Sequence, residues 1–339
     1  MEKFQTSKRC AFALGILYAV SFIYVFVFDI QIGKMDPSTI AAYLFIITLA
    51  VISFLVILEE LLQKRDKERH YEKLSPEKVI KRPGLLKIFA DDQDTSVRAK
   101  VAVIVGEKFD ELPVETREEL MSFLSEDDGW GVRGKISETV AEKFGSLNKE
   151  LREKMLISFV NDGDMDVRCN ASKVIGENFF LVPKKMREES LEKLAEDSNN
   201  AVREWAAEAI RWNIGEIPPS MKVRFLRTFS EDKSPSVRSA AAVILFKSFR
   251  NIPDRPMEEA LRKLSGDSHP SVRVIIVDVI VKHFKQIPKN LREEIILKLL
   301  NDTNPSVKEK AGEIISKNLD KYPGDLKKFT KYLLMSPSH

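Results

Sequence analysis

One short pattern recurs seven times in this chain, every 35 residues, and it constrains the fold more than any other feature. A Val-Arg pair stands at 97–98, 132–133, 167–168, 202–203, 237–238 and 272–273, and Val307-Lys308 completes the series. Six positions before each basic residue stands an aspartate. The resulting pairs are Asp92/Arg98, Asp127/Arg133, Asp162/Arg168, Asp197/Arg203, Asp232/Arg238, Asp267/Arg273 and Asp302/Lys308. A further column holds Pro113, Pro183, Pro218, Pro253, Pro288 and Pro323, with Asn148 as the exception.

Each unit reads as two helices. The first is expected to begin near the proline, a favourable first-turn residue, and carries an apolar column at Leu124, Phe159, Leu194, Phe229, Leu264, Leu299 and Leu334. The second begins near the Val-Arg pair. Its inward columns include Val105, Val140, Ile175 and Ile210, then Phe109, Phe144, Phe179, Ile214, Phe249 and Phe284. Four residues after the basic position the side chain is mostly small (Ala102, Ser137, Ser172, Ala207, Ala242 and Gly312, against Val277), which lets helices approach closely. Units of this size cannot bury their apolar faces alone, so they must stack into a solenoid.

On these residues the chain resembles the HEAT-repeat family, including its short prokaryotic forms. The first-helix proline, the turn aspartate and the Val-Arg six residues later are seen in full in DKSPSVR (232–238) and DSHPSVR (267–273). The tetratricopeptide and ankyrin patterns are absent. The resemblance covers residues 76–335 and implies an all-α chain with a right-handed α-solenoid of about seven HEAT-like repeats, whose second helices line the concave surface. It also implies that the Asp and Arg columns cap turns and form an ion-pair ladder between units, with Lys308 a weaker member because it lacks the guanidinium fork. Repeat 1, with Pro83 inside its first helix, and an unpaired helix at 323–335 are expected to be caps. The family mostly scaffolds other molecules, so the resemblance says little about function.

Ahead of the repeats lie two uncharged apolar runs, 10–28 and 40–58. At 19 residues each covers roughly 28 Å, close to the hydrocarbon thickness of a bilayer. They predict an N-terminal transmembrane hairpin after a short tail, 1–9. A signal peptide is the competing reading of the first run, but the run is long, no clear small-x-small cleavage site follows it, and a second span comes soon after. Lys3, Lys8 and Arg9 precede the first run, and Lys64, Arg65, Lys67 and Arg69 follow the second, whereas the loop between offers only Lys34. Both termini and the solenoid are therefore expected on the cytoplasmic side of the cell membrane. Two cysteines, Cys10 and Cys169, cannot build a disulfide framework and agree with that side. Residues 59–75 read as a charged helical stalk, and 336–339 as a tail.

Charge divides along the chain. The net charge of +3 lies within residues 1–82, while 83–215 carry a net −8 and 216–339 a net +8. No catalytic constellation is visible. Asp162, Asp164 and Asp166 have the spacing that opens a calcium loop, but Val167 and Lys173 stand where that loop needs Gly and Glu. His70, His269, His283 and His339 have no ligand spacing, and there is no P-loop, GxGxxG or nucleophile elbow. No enzyme activity, cofactor or metal is expected.

What varies between repeats lies on the flank of the second helices. Nine residues after the basic position the column reads Glu107, Glu142, Glu177, Trp212, Lys247, Lys282 and Lys317. Two residues after it stand Lys100, Lys135, Asn170, Trp205, Ala240, Ile275 and Lys310. Arg211 replaces the small residues Gly106, Ala141 and Gly176 of earlier repeats. Trp and Arg are the usual anchors of a binding hot spot. The alternative is that these large residues fill a gap between repeats, with Arg211 pairing to a nearby carboxylate.

The leading expectation is a membrane-tethered interaction scaffold whose distal repeats take an acidic protein partner on Arg211, Lys247, Lys282 and Lys317, with Trp205 and Trp212 as apolar anchors. Nucleic-acid binding or DNA-glycosylase-like base repair is a second reading, favoured by the basic distal half and opposed by a repeat array that is neutral overall. A lyase acting on a pigment-protein is a third, resting on shared repeats alone. Head-to-tail self-association of acidic and basic halves is a fourth.

Overall fold

The computed structural model describes residues 81–317 throughout, together with 36, 45, 48–49, 51–58 and 75–77. The chain divides into two compact units, Met1–Val79 and Ile80–His339. In the first, residues 51–58 are helical, with Val51, Leu55 and Val56 exposed. Among the described residues no helix is long and apolar enough to cross a membrane. The expected first span 10–28, part of the second, nearly all of the stalk and the terminal helix 323–335 lie outside the described residues, as do both tails.

The second unit is helical throughout its described regular structure. Its first helices are α1 (Gly84–Ala90), α3 (Val114–Leu124), α5 (Lys149–Val160), α7 (Lys184–Ala195), α9 (Pro219–Ser230), α11 (Asp254–Leu264) and α13 (Lys289–Leu300). Its second helices are α2 (Thr95–Glu107), α4 (Trp130–Lys143), α6 (Met165–Glu177), α8 (Asn200–Trp212), α10 (Pro235–Ser248), α12 (Pro270–His283) and α14 (Pro305–Lys317). Each second helix packs on the next in sequence order, and the first helices lie beside them as a second layer. This is a helical-repeat, solenoid-like arrangement.

The 35-residue columns explain the layering. Val97, Val132, Val167, Val202, Val237, Val272 and Val307 are all buried, as are Leu124, Phe159, Leu194, Phe229, Leu264 and Leu299 from the first helices. Each such side chain contributes about 1.5–3 kcal/mol on leaving water. The small column (Ala102, Ser137, Ser172, Ala207 and Ala242) is buried, and the one larger member, Val277, is buried as well.

Two sequence expectations shift at the helix starts. Pro113, Pro183, Pro253 and Pro288 occupy the N-cap, with φ between −49° and −58°, one residue earlier than the first-turn site. The extended backbone there suits proline's fixed φ and its lack of an N–H. Pro83 likewise stands at the N-cap of α1 and not inside a first helix, so the first helix of repeat 1 is shortened to Gly84–Ala90.

Candidate functional site

The Asp and Arg columns meet across repeats. The Arg203 Nε donates to Asp232 Oδ2 at 2.6 Å and its Nη2 to Asp232 Oδ1 at 3.1 Å, while Nη1 donates back to the Asp197 carbonyl at 2.9 Å. The same fork joins Arg98 to Asp127, Arg133 to Asp162, Arg168 to Asp197, Arg238 to Asp267 and Arg273 to Asp302. Arg98 also pairs with Asp128. Every guanidinium therefore ties its own turn to the next.

The aspartates are not the helix N-caps. Asp232 Oδ1 accepts the Ser234 N–H at 2.8 Å, and Ser234 then caps α10. Asp94, Asp164, Asn199 and His269 occupy the same capping place. Burial alone would push the Asp232 carboxyl up, but the Arg203 and Ser234 hydrogen bonds outweigh it and hold the group below the usual carboxylate range. The carboxyls of Asp127, Asp162, Asp197, Asp267 and Asp302 are depressed by the same balance. Lys308 makes no such fork among the described residues; it adds a smaller favourable charge beside Asp302.

A second recurrent device went unread in the sequence. Arg117, Arg187 and Arg292 each lay the guanidinium over the ring of the phenylalanine eight residues earlier, 4.1, 4.2 and 4.0 Å from the centroids of Phe109, Phe179 and Phe284. Each also donates to that residue's carbonyl, at 3.1, 3.1 and 2.5 Å. Arg152 lies 5.5 Å from the Phe144 centroid. Where the aromatic becomes Ile214 the arginine becomes Lys222, whose buried ammonium is pushed below its ordinary value by desolvation, against the pull of Glu216. The eight-residue Phe/Arg offset was the available signal.

Trp205 and Trp212 lie on one flank of α8 with their rings edge to face, centroids 6.5 Å apart and planes at 73°. They are 39% and 50% exposed. Gly176, on the preceding second helix, makes the room. A Cβ there would stand 2.8 Å from Trp212 Cε3 and 3.0 Å from Cζ3. The indole thus rests on a bare backbone and turns its remaining surface to solvent. The gap-filling and exposed-anchor readings each describe part of this arrangement.

The basic residues around the pair are partly engaged. Arg211 pairs with Glu208 on its own helix at 2.6 Å. Lys247 donates to the Arg211 carbonyl at 3.3 Å. Lys282 donates to the Phe246 carbonyl at 3.0 Å, its ammonium 4.0 Å from that ring's centroid. Both lysines therefore complement the negative end of the preceding second helix, yet both remain exposed. Lys317 is the last residue of α14. Burial, reinforced by Asp166, pushes the Cys169 thiol up to about 11, so it is protonated and poorly nucleophilic at neutral pH.

No family model matches the chain, nor does any curated protein. Among solved structures it is similar to Cex1p, at TM-score 0.53 and 14% identity, over 88% of this chain and 59% of that one. It is also similar to the YibA protein of E. coli, at TM-score 0.45 and 16% identity, over 75% of this chain and 92% of that one. A third similar structure is the CpcE–CpcF complex of phycocyanin lyase from Nostoc sp. PCC7120, at TM-score 0.37 and 16% identity, over 72% and 94%. Such likenesses bear on the fold alone. They assign no activity.

Proposed function

We propose that the chain is a HEAT-like interaction scaffold, tethered to the cell membrane by the apolar runs 10–28 and 40–58 and facing the cytoplasm. Its recognition surface is the second-helix flank centred on Trp205 and Trp212. The observation that carries this reading is the tryptophan pair. These two columns hold tryptophan in no other repeat, and the two rings keep 39% and 50% of their surface in water while packing against each other. Indole on a rigid platform gives contact area at little conformational cost. Lys247 and Lys282, in the next two repeats of the same flank, supply positive charge for an acidic partner. The uncharged runs and the flanking basic residues support the tether and its orientation.

The test is co-purification from native membranes with full-length chain and with Trp205→Ala/Trp212→Ala. Loss of the salt-sensitive bound fraction, with thermal melting unchanged, supports the surface; identical recovery removes it.

A further inference from the structure

The flank that holds Trp212 is charged in an ordered way. In the three repeats before it stand Glu107, Glu142 and Glu177, all exposed, and none forms an ion pair or hydrogen bond among the described residues. In the three repeats after it the same position holds Lys247, Lys282 and Lys317. One row of second-helix ends therefore reads acid, acid, acid, tryptophan, base, base, base. It is antisymmetric in charge about Trp212.

An acidic partner on the distal repeats accounts for the lysines and leaves three uncompensated carboxylates in line beside them. A row that changes sign about its own centre has a simpler complement. Rotation by 180° about an axis through Trp212 carries Glu177 onto Lys247, Glu142 onto Lys282 and Glu107 onto Lys317. A two-fold interface needs this kind of self-complementary patch, in which residue i meets residue j and j meets i. Neighbouring second helices pack roughly 8–10 Å apart, and the two copies share that period, so one matched pair keeps every other pair in register. At the axis the exposed half of Trp212 would meet its own counterpart, with the Trp205 ring edge-on beside it.

We propose that the partner of this surface is a second copy of the chain, docked antiparallel about a two-fold axis at Trp212, with the acidic row of each copy against the basic row of the other. The proposal rests on the recognition-surface reading above and names its occupant. The contact is isologous and closes at two copies. Head-to-tail pairing of acidic with basic halves would instead propagate.

The test is sedimentation of the full-length protein in low-salt detergent solution, in four forms. Wild type is expected to sediment at twice the chain mass, and at one chain mass in high salt, because exposed charge pairs are screened. Glu142→Lys/Glu177→Lys and Lys247→Glu/Lys282→Glu should each be monomeric at low salt. An equimolar mixture of the two should regain the doubled mass, which also shows that both variants are folded. A wild-type monomer at low salt overturns the second-copy proposal, as does mass that keeps rising with concentration or a mixture that stays monomeric. If wild type is monomeric, tryptophan quenching by an added poly-glutamate peptide separates the two readings. Quenching lost in Lys247→Glu/Lys282→Glu keeps the recognition surface with a different occupant, and no quenching removes both.

Discussion

Arg203 grips Asp232 of the following repeat through two parallel hydrogen bonds, 2.6 and 3.1 Å long, while its third nitrogen holds the Asp197 carbonyl of its own turn. The side chains are 14% and 6% exposed, so little solvent shares the pair. Removing the guanidinium leaves a nearly buried carboxylate with only a backbone N–H. Arg203→Ala is expected to cost about 3 kcal/mol. Arg203→Lys should cost less, since a point charge remains but the fork is lost. Denaturant unfolding checks the magnitude, and hydrogen exchange should show the loosening concentrated at α8 to α10, because repeats couple chiefly to their neighbours.

Six ladder carboxyls titrate below their ordinary value in the folded chain. A depressed folded value contributes stability that is present above the ordinary aspartate value of 3.8 and lost as pH falls through the folded one. Helicity followed by circular dichroism should therefore hold down to about pH 4 and collapse below it. Arg203→Ala should move that collapse to higher pH.

Gly176 is the floor under Trp212. A methyl group there meets the indole at 2.8 Å and the Ala209 Cα at 3.1 Å, and backbone cannot swing away as a side chain can. Gly176→Ala is expected to destabilise by about 1–3 kcal/mol and to raise the accessibility of tryptophan to iodide quenching. Gly134→Ala, on the same helix layer with open space around its Cβ, should do neither.

The Phe/Arg stack is missing where Ile214 and Lys222 replace it. Restoring both partners, Ile214→Phe with Lys222→Arg, is expected to give a favourable coupling of about 0.5–1 kcal/mol in a double-mutant cycle. Chemical denaturation of the four proteins measures it.

The repeat was legible because a solenoid imposes one environment seven times, so Asp232 and Val237 could be read from their counterparts. The inter-repeat reach of Arg203 was what the family resemblance implied, and Asp232, 29 residues on, takes its fork. The turn-capping role of Asp232 was legible too, whereas the helix N-cap two residues on varies between Asp, Asn, Ser and His and gave no column to read. What a period cannot show is where an exception points. Trp212 departs from its column in the sequence, but its rest on Gly176 depends on helix separation, and Lys247 and Lys282 turned partly inward onto carbonyls that carry no sequence signal.

The most direct measurement of the central claim places a photoreactive benzoylphenylalanine at position 212 of the full-length chain in its native cell. Position 157 serves as control, because Ile157 is 51% exposed on a first helix, away from the tryptophan flank. The expected result is discrete adducts from position 212, led by one at twice the chain mass, with few from position 157. Equal or weaker crosslinking from position 212 would contradict a recognition surface centred on this tryptophan.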